Sequence, residues 1–249
     1  MRIAKALALA GIDSRRKCER HITNGAVVVN GEVVRDLGRQ VNPEEDSIAF
    51  RGRILYFEKP VYYVLFKPAG YTTTAHDIHA DKTVYELLPR RLIKGSRQPK
   101  PSRTRVFPVG RLDKYSTGLL LFTNDGETAN RLMHPRYGIS KWYQVKLDRP
   151  FDPRDGKRLL QGVSLKEGLA KIEKFHPLSK RVMRVLLREG KNREIRRIFG
   201  RLNYEVLDLC RMSFGPLTLG GLSLGQGRFL NSNEIKELRK VSVPKTPAG

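Results

Sequence analysis

Cysteine is nearly absent from this chain: Cys18 and Cys210 are the two among 249 residues. Two cysteines make no disulfide framework, so a reducing compartment, the cytoplasm, is expected. Long apolar runs are missing as well, and no window approaches the ~18 residues that a membrane-spanning helix needs. The first residues, Met1 to Gly11, look superficially like a signal peptide. Lys5 interrupts that short run and Arg15-Arg16-Lys17 follows at once, so an amphipathic first helix is the better reading. Acidic residues are scarce, with 25 Asp+Glu against 48 Lys+Arg and a net charge of +23. Such a chain repels itself unless a polyanion lies nearby, which makes nucleic acid the first partner to test.

Other absences remove whole chemistries. No Gly-Lys-Ser/Thr follows a glycine-rich turn, so a phosphate-cradling loop of that kind is excluded. The glycine-rich run from Gly220 to Gly227 lacks that lysine and reads as a loop between strands. The five histidines are scattered. His76 and His79 are neighbours, but they have no third ligand and no metal is expected. No Gly-x-Ser-x-Gly nucleophile turn occurs, and no motif asks for a cofactor.

What is present suffices for a folded core: 39% apolar residues, including 10 Phe and 9 Tyr. The charge is unevenly spread. Residues 1–58 carry a net +2, residues 59–147 +10 and residues 148–249 +11. The first segment predicts a small unit of its own. Ile3 and Leu7, with Ala6 and Ala10, mark a short helix stopped by Gly11. Ser14 is placed to cap a second helix running to about Thr23, with Cys18 and Ile22 inward and Arg15, Arg16, Lys17 and Arg20 outward. Asn30-Gly31 between valine-rich runs predicts a hairpin. The basic helix suits a module that grips an RNA backbone; from composition alone a solvated charged face is the favoured reading.

An acidic patch, Glu44-Glu45-Asp46, and Lys59-Pro60 mark a join, so the expected division is 1–58, 59–240 and a loose tail at 241–249. Beyond the join the pattern is α+β. Strands are expected near 61–66, 118–123, 142–147, 170–175, 182–187 and 204–209. Helices are expected near 127–134, with Leu132 and Met133 buried, and near 153–162 and 192–203. Residues 94–105 hold five basic side chains and read as a basic arm.

Three stretches are polar where their surroundings are structural. They are Gly110-Arg111-Leu112-Asp113-Lys114-Tyr115-Ser116-Thr117-Gly118, Lys141-Trp142-Tyr143, and Glu189-Gly190-Lys191-Asn192-Arg193-Glu194-Ile195-Arg196-Arg197. Each has an ordinary structural reading: a capping aspartate, a half-buried strand tyrosine, a solvated basic helix. Together, and in this order, they resemble the bacterial ribosomal pseudouridine synthases of the RsuA/RluB type. The run Thr123-Asn124-Asp125-Gly126-Glu127 and Asn130-Arg131-Leu132-Met133-His134-Pro135 is similar to the RluB branch in particular. Gly11-Ile12-Asp13-Ser14-Arg15-Arg16 with Asn30-Gly31 resembles the S-four-type RNA-binding domain that this branch carries ahead of its catalytic domain. The likeness covers roughly residues 2–240. Lys191 and Glu194 depart from it, standing where Arg and Gln are frequent.

The resemblance implies a small α/β RNA-binding domain followed by a mixed, mainly antiparallel-sheet catalytic domain with a central cleft. It implies isomerisation of a uridine in 23S ribosomal RNA, free or in a pre-ribosomal particle, by a monomer that needs no cofactor or membrane. A 16S target of the RsuA type and a catalytically silent assembly factor are the alternatives. Asp113 becomes the catalytic carboxylate, Arg196 the cation that keeps it ionised, and Tyr143 the ring and hydroxyl over the uracil. Ile195 and Leu209 become apolar walls, and Arg111 the side chain that fills the place left by the extracted base. Arg193, Arg197, Arg15, Arg16, Lys17 and Arg20 become RNA contacts.

Overall fold

A computed structural model describes residues 1–43, 45–57, 59–74, 82–92 and 106–241. The chain divides into two compact units, one built mainly on Met1–Val61 and the other on most of the chain from Tyr62 onward. His76, His79, the 94–105 arm and residues 242–249 of the expected tail lie outside the described residues.

In the first unit, helix α1 (Ile3–Leu9) and helix α2 (Arg15–Thr23) precede strands β1 (Val27–Val29), β2 (Glu32–Val34), β3 (Ile48–Phe50) and β4 (Arg53–Ile54). The strands form one sheet in the order β2-β1-β3-β4, and both the β1–β2 and β1–β3 pairs are antiparallel. Asn30 and Gly31 both have positive φ, 51° and 88°, as a two-residue turn with the native strand twist requires. Ile3, Leu7, Cys18, Ile22, Val27, Val29 and Ile48 close the core. Each such aliphatic side chain contributes roughly 1.5–3 kcal/mol by leaving water. Ser14 occupies the cap position of α2, but its side chain makes no cap bond. Asp13 does the local bonding instead, with its Oδ1 accepting from Ser14 N at 2.8 Å. Arg15, Arg16, Lys17 and Arg20 all face outward.

The second unit is built on β5 (Tyr62–Lys67), β6 (Phe107–Pro108), β7 (Thr117–Thr123), α3 (Gly126–Met133), β8 (Lys141–Leu147), α4 (Asp155–Gln161), β9 (Val163–Leu165) and β10 (Gly168–Ala170). There follow β11 (Lys174–Pro177), β12 (Val182–Leu187), α5 (Glu194–Arg201), β13 (Val206–Phe214), β14 (Leu217–Thr218), β15 (Gly227–Phe229) and α6 (Ser232–Val241). Nine strands make one sheet with the main order β11-β12-β8-β13-β7-β5-β15. The β13–β7 pair is parallel and the other pairs are antiparallel, so the sheet is mixed and mainly antiparallel. The all-apolar face-to-face run of β7, Leu119 to Phe122, is fully buried, as expected of a strand covered on both sides.

Three expectations are corrected. The strand expected near 170–175 is two: β10 pairs with β9 and β11 with β12, and the residues between them include the buried Ile172. Met133 is 44% exposed at the end of α3, where its Sδ accepts from Gly110 N at 2.9 Å. The last expected strand runs on to Phe214, carrying two polar residues, Arg211 and Ser213, through its second half.

Candidate active site

Strand registers bring one row of side chains together. Lys67 on β5 pairs with Gly118 on β7, Gly118 with Arg211 on β13, and Arg211 with Tyr143 on β8. Residues paired across neighbouring strands share a face, so Lys67, Arg211 and Tyr143 line the same side of the sheet. Tyr143 is 9% exposed, Arg211 2% and Lys67 0%. Gly118 keeps β7 and β13 close, because a Cβ there would run into the backbone of Arg211.

Asp113 stands on the turn that leads into β7, and that turn is clamped through its backbone. The Lys67 ammonium donates to the carbonyls of Pro68 (3.1 Å), Asp113 (3.1 Å), Lys114 (3.2 Å) and Ser116 (2.7 Å). The Thr73 hydroxyl donates to Leu112 O at 2.9 Å and accepts from Leu112 N at 3.3 Å. Gly70 N donates to Lys114 O at 2.8 Å, and Ser116 N closes the turn on Asp113 O at 3.0 Å. The aspartate carboxylate is thereby carried on fixed backbone while it stays half-buried.

Burial pulls the Lys67 ammonium down to about 8; the nearby Asp113 charge opposes the shift and Arg211 adds to it. Lys141, at the start of β8, is likewise brought down to about 8 by burial and then by Arg211. Its Nζ donates to Arg188 O (3.3 Å) and Glu189 O (3.1 Å). Burial also raises Glu194 above its ordinary value, against the hydrogen bond that its carboxylate accepts from Lys191 N.

The two lysines give a pH signature. Both bind protons more weakly folded than unfolded, so between about 8 and the unfolded value of 10.5 the unfolded chain holds more protons. Stability therefore rises with pH across that window. Activity moves the other way, because the neutral Lys67 amine has fewer protons to hold the Asp113 turn. Differential scanning calorimetry from pH 7 to 10 is expected to show a rising Tm beside a falling kcat. The Tm rise should shrink in Lys141→Met.

The remaining expected residues distribute unevenly. Ile195 on α5 is 4% exposed and Leu209 on β13 is 7% exposed. Arg196 lies within electrostatic reach of Asp113, whose charge favours its charged form against the larger effect of burial. It makes no ion pair with Asp113; its Nη1 turns to Val206 O at the start of β13. Arg193 takes left-handed backbone (φ 48°) immediately ahead of α5 and is exposed, as is Arg111. Arg197 is already engaged, donating through both terminal nitrogens to the Glu167 carboxylate.

Sequence reasoning missed Lys67, Thr73 and Arg211. A lysine ending an apolar strand at Lys67-Pro68 and a basic residue inside β13 were the available signals; nothing in the sequence marks Thr73. Among the described residues, the buried side-chain polar atoms without a partner are Ser116 Oγ, Arg196 Nε and Arg211 Nη2. Ser116 belongs to the Asp113 turn, Arg196 feels the Asp113 charge, and Arg211 is in the row beside Tyr143. Buried unsatisfied groups are costly and rare in folded proteins, and all three lie around the Asp113 turn and the row that holds Tyr143.

Known proteins resemble the chain over most of its length. Residues 61–200 match the family model described as RNA pseudouridylate synthase, and residues 1–47 match the S4 domain model. An uncharacterized RNA pseudouridine synthase of Aquifex aeolicus is 39% identical over 97% of this chain and 94% of its own length. The ribosomal large subunit pseudouridine synthase B of Bacillus subtilis is 38% identical over 97% of this chain and 96% of its own. A crystal structure of a pseudouridylate synthase superposes with a TM-score of 0.66 at 27% identity, covering 96% of this chain and 99% of that one.

Proposed function

The chain belongs to the RNA pseudouridylate synthase family, with an S4 domain ahead of the synthase domain, and from that premise we propose that it isomerises a uridine of 23S ribosomal RNA. Pseudouridine has the atoms of uridine. The N1–C1′ bond breaks, the uracil turns, C5 bonds to C1′, the C5 proton leaves and N1 takes one up. The step is redox-neutral and asks for one carboxylate at the sugar, as nucleophile at C1′ or as base at C2′.

Asp113 is that carboxylate. The observation that carries the reading is its turn, clamped at Leu112, Asp113, Lys114 and Ser116 by Thr73 and Lys67, so that the side chain is aimed without being tied. Lys67 and Arg196 supply the positive field around it. Tyr143 offers a flat face for the uracil and a hydroxyl for the departing C5 proton, between the walls formed by Ile195 and Leu209. Arg111, exposed beside Asp113, takes the vacated place in the RNA stack. Arg193 and the outward basic face of α2 hold phosphates, which makes affinity fall with salt.

The 23S target rests on likeness to the large-subunit synthase of Bacillus subtilis over both units. With Cys18 and Cys210 the two cysteines of the chain, action in a reducing compartment, the cytoplasm, is part of this reading. Mapping pseudouridines on 23S and 16S rRNA from cells with and without the protein tests the target. Loss of one 23S pseudouridine is expected. Loss of a 16S site, or no loss in either, overturns the assignment.

A further inference from the structure

We propose that Tyr115 is a base-stacking residue whose ring holds the nucleobase flanking the extracted uridine, an inference that rests on the function given above. The Ser116 N to Asp113 O bond makes Asp113–Ser116 a four-residue turn with Lys114 and Tyr115 at its two corners. Corner side chains project away from the body of a turn, and Tyr115 is 69% exposed. Its hydroxyl has no hydrogen-bond partner among the described residues, and its ring buries nothing of the core.

An exposed ring is usually mobile surface, but this one stands on immobile backbone. Lys67 holds the carbonyls on both sides of it, and Gly70 N holds Lys114 O. The ordering that binding would otherwise require is already done. Lys114 places its ammonium 6.0 Å from the centre of the Tyr115 ring. An exposed π-ring with a cation over it is the chemistry that takes a nucleobase together with its phosphate.

Position decides which base. Tyr115 is two residues from Asp113 on the same tight turn, so a nucleotide stacked on it adjoins the one whose sugar meets the carboxylate. Drawing out a uridine strips its neighbours of a stacking partner. Arg111, on the other side of Asp113, answers for the gap; Tyr115 answers for the neighbour's uncovered face.

The test compares wild type, Tyr115→Ala and Tyr115→Phe as full-length protein on unmodified 23S transcript, with pseudouridine formation followed at varied RNA concentration. Loss of the ring is expected to raise KM by about ten- to a hundredfold. kcat at saturating RNA and Tm should stay near wild type, and Phe, which keeps the ring, should restore wild-type KM. An unchanged KM in Tyr115→Ala beside an active wild type overturns the stacking role alone, and so does Phe failing as badly as Ala. A wild type that forms no pseudouridine on 23S transcript, 16S transcript or assembled subunits overturns the function on which the inference rests.

Discussion

Asp113→Asn is expected to abolish pseudouridine formation, lowering turnover on the order of a thousandfold or more, while RNA affinity and Tm remain near wild type. The amide keeps the shape of the carboxylate but can neither attack C1′ nor take a proton from C2′. Folding is spared for a structural reason. Every bond that fixes the turn uses the backbone of Asp113 and its neighbours, through Lys67, Thr73 and Gly70, and none of them uses the aspartate side chain. Tritium release from RNA labelled at uracil C5 reads the reaction directly, because the C5 proton must leave. Filter binding reads affinity, and scanning calorimetry reads stability. Residual turnover above background in a pure Asp113→Asn preparation would remove Asp113 from the chemistry. A large fall in Tm would show that its side chain is structural.

The second large effect is on stability. In Gly118→Ala the new methyl falls within 2.7 Å of the Arg211 Cα and closer still to its N and O, at a residue whose φ is +119°. Backbone cannot yield as the end of a flexible side chain can. Backbone strain and overpacking each cost about 1–3 kcal/mol. For a chain of this size the sum corresponds to a fall of roughly 10 °C in the main melting transition. The parallel β7–β13 pair opens first, because its register is short and Gly118–Arg211 is half of it. Activity falls even at temperatures where the variant is folded, since Arg211 is displaced from the row between Lys67 and Tyr143. A Gly118→Ala protein with wild-type Tm and activity would mean that the two strands have slack to absorb the methyl.

Much of the fold was legible because local patterns were strong. Asn30-Gly31 announces its hairpin, the apolar run of β7 announces a buried strand, and the α5 helix appears from Ile195, Ile198 and Phe199. The failures have physical causes. The break between β10 and β11, over residues 171–173, carries no Gly or Pro to announce it. Met133 continues an apolar pattern into a last helical turn that the core does not cover. Helix α6 buries one residue fully, Leu238, with Ile235 packed beside it on the core.

The site divides in the same way. Asp113, Tyr143 and Arg196 each sit in a short polar run that has an ordinary structural reading by itself, and only the resemblance of the three runs together made them candidates. Their supports were not readable, because support is a matter of register between strands far apart in the chain. Lys67 and Ser116 are 49 residues apart and meet through a buried bond; Arg211 donates its Nε to Leu119 O, 92 residues away.

The scarcity of acidic residues determined, from sequence alone, a basic chain suited to a polyanion, and the three polar runs together supplied the resemblance that implies RNA as partner and Asp113 as a candidate carboxylate. Composition and local motif survive any arrangement of the strands. Tertiary structure decided which residues hold that carboxylate in place, that Arg196 faces Val206 without an ion pair to Asp113, and that Arg197 is bound to Glu167. Those outcomes depend on which strands neighbour one another and on how much water each charge loses. A linear sequence does not contain either quantity until the sheet has formed.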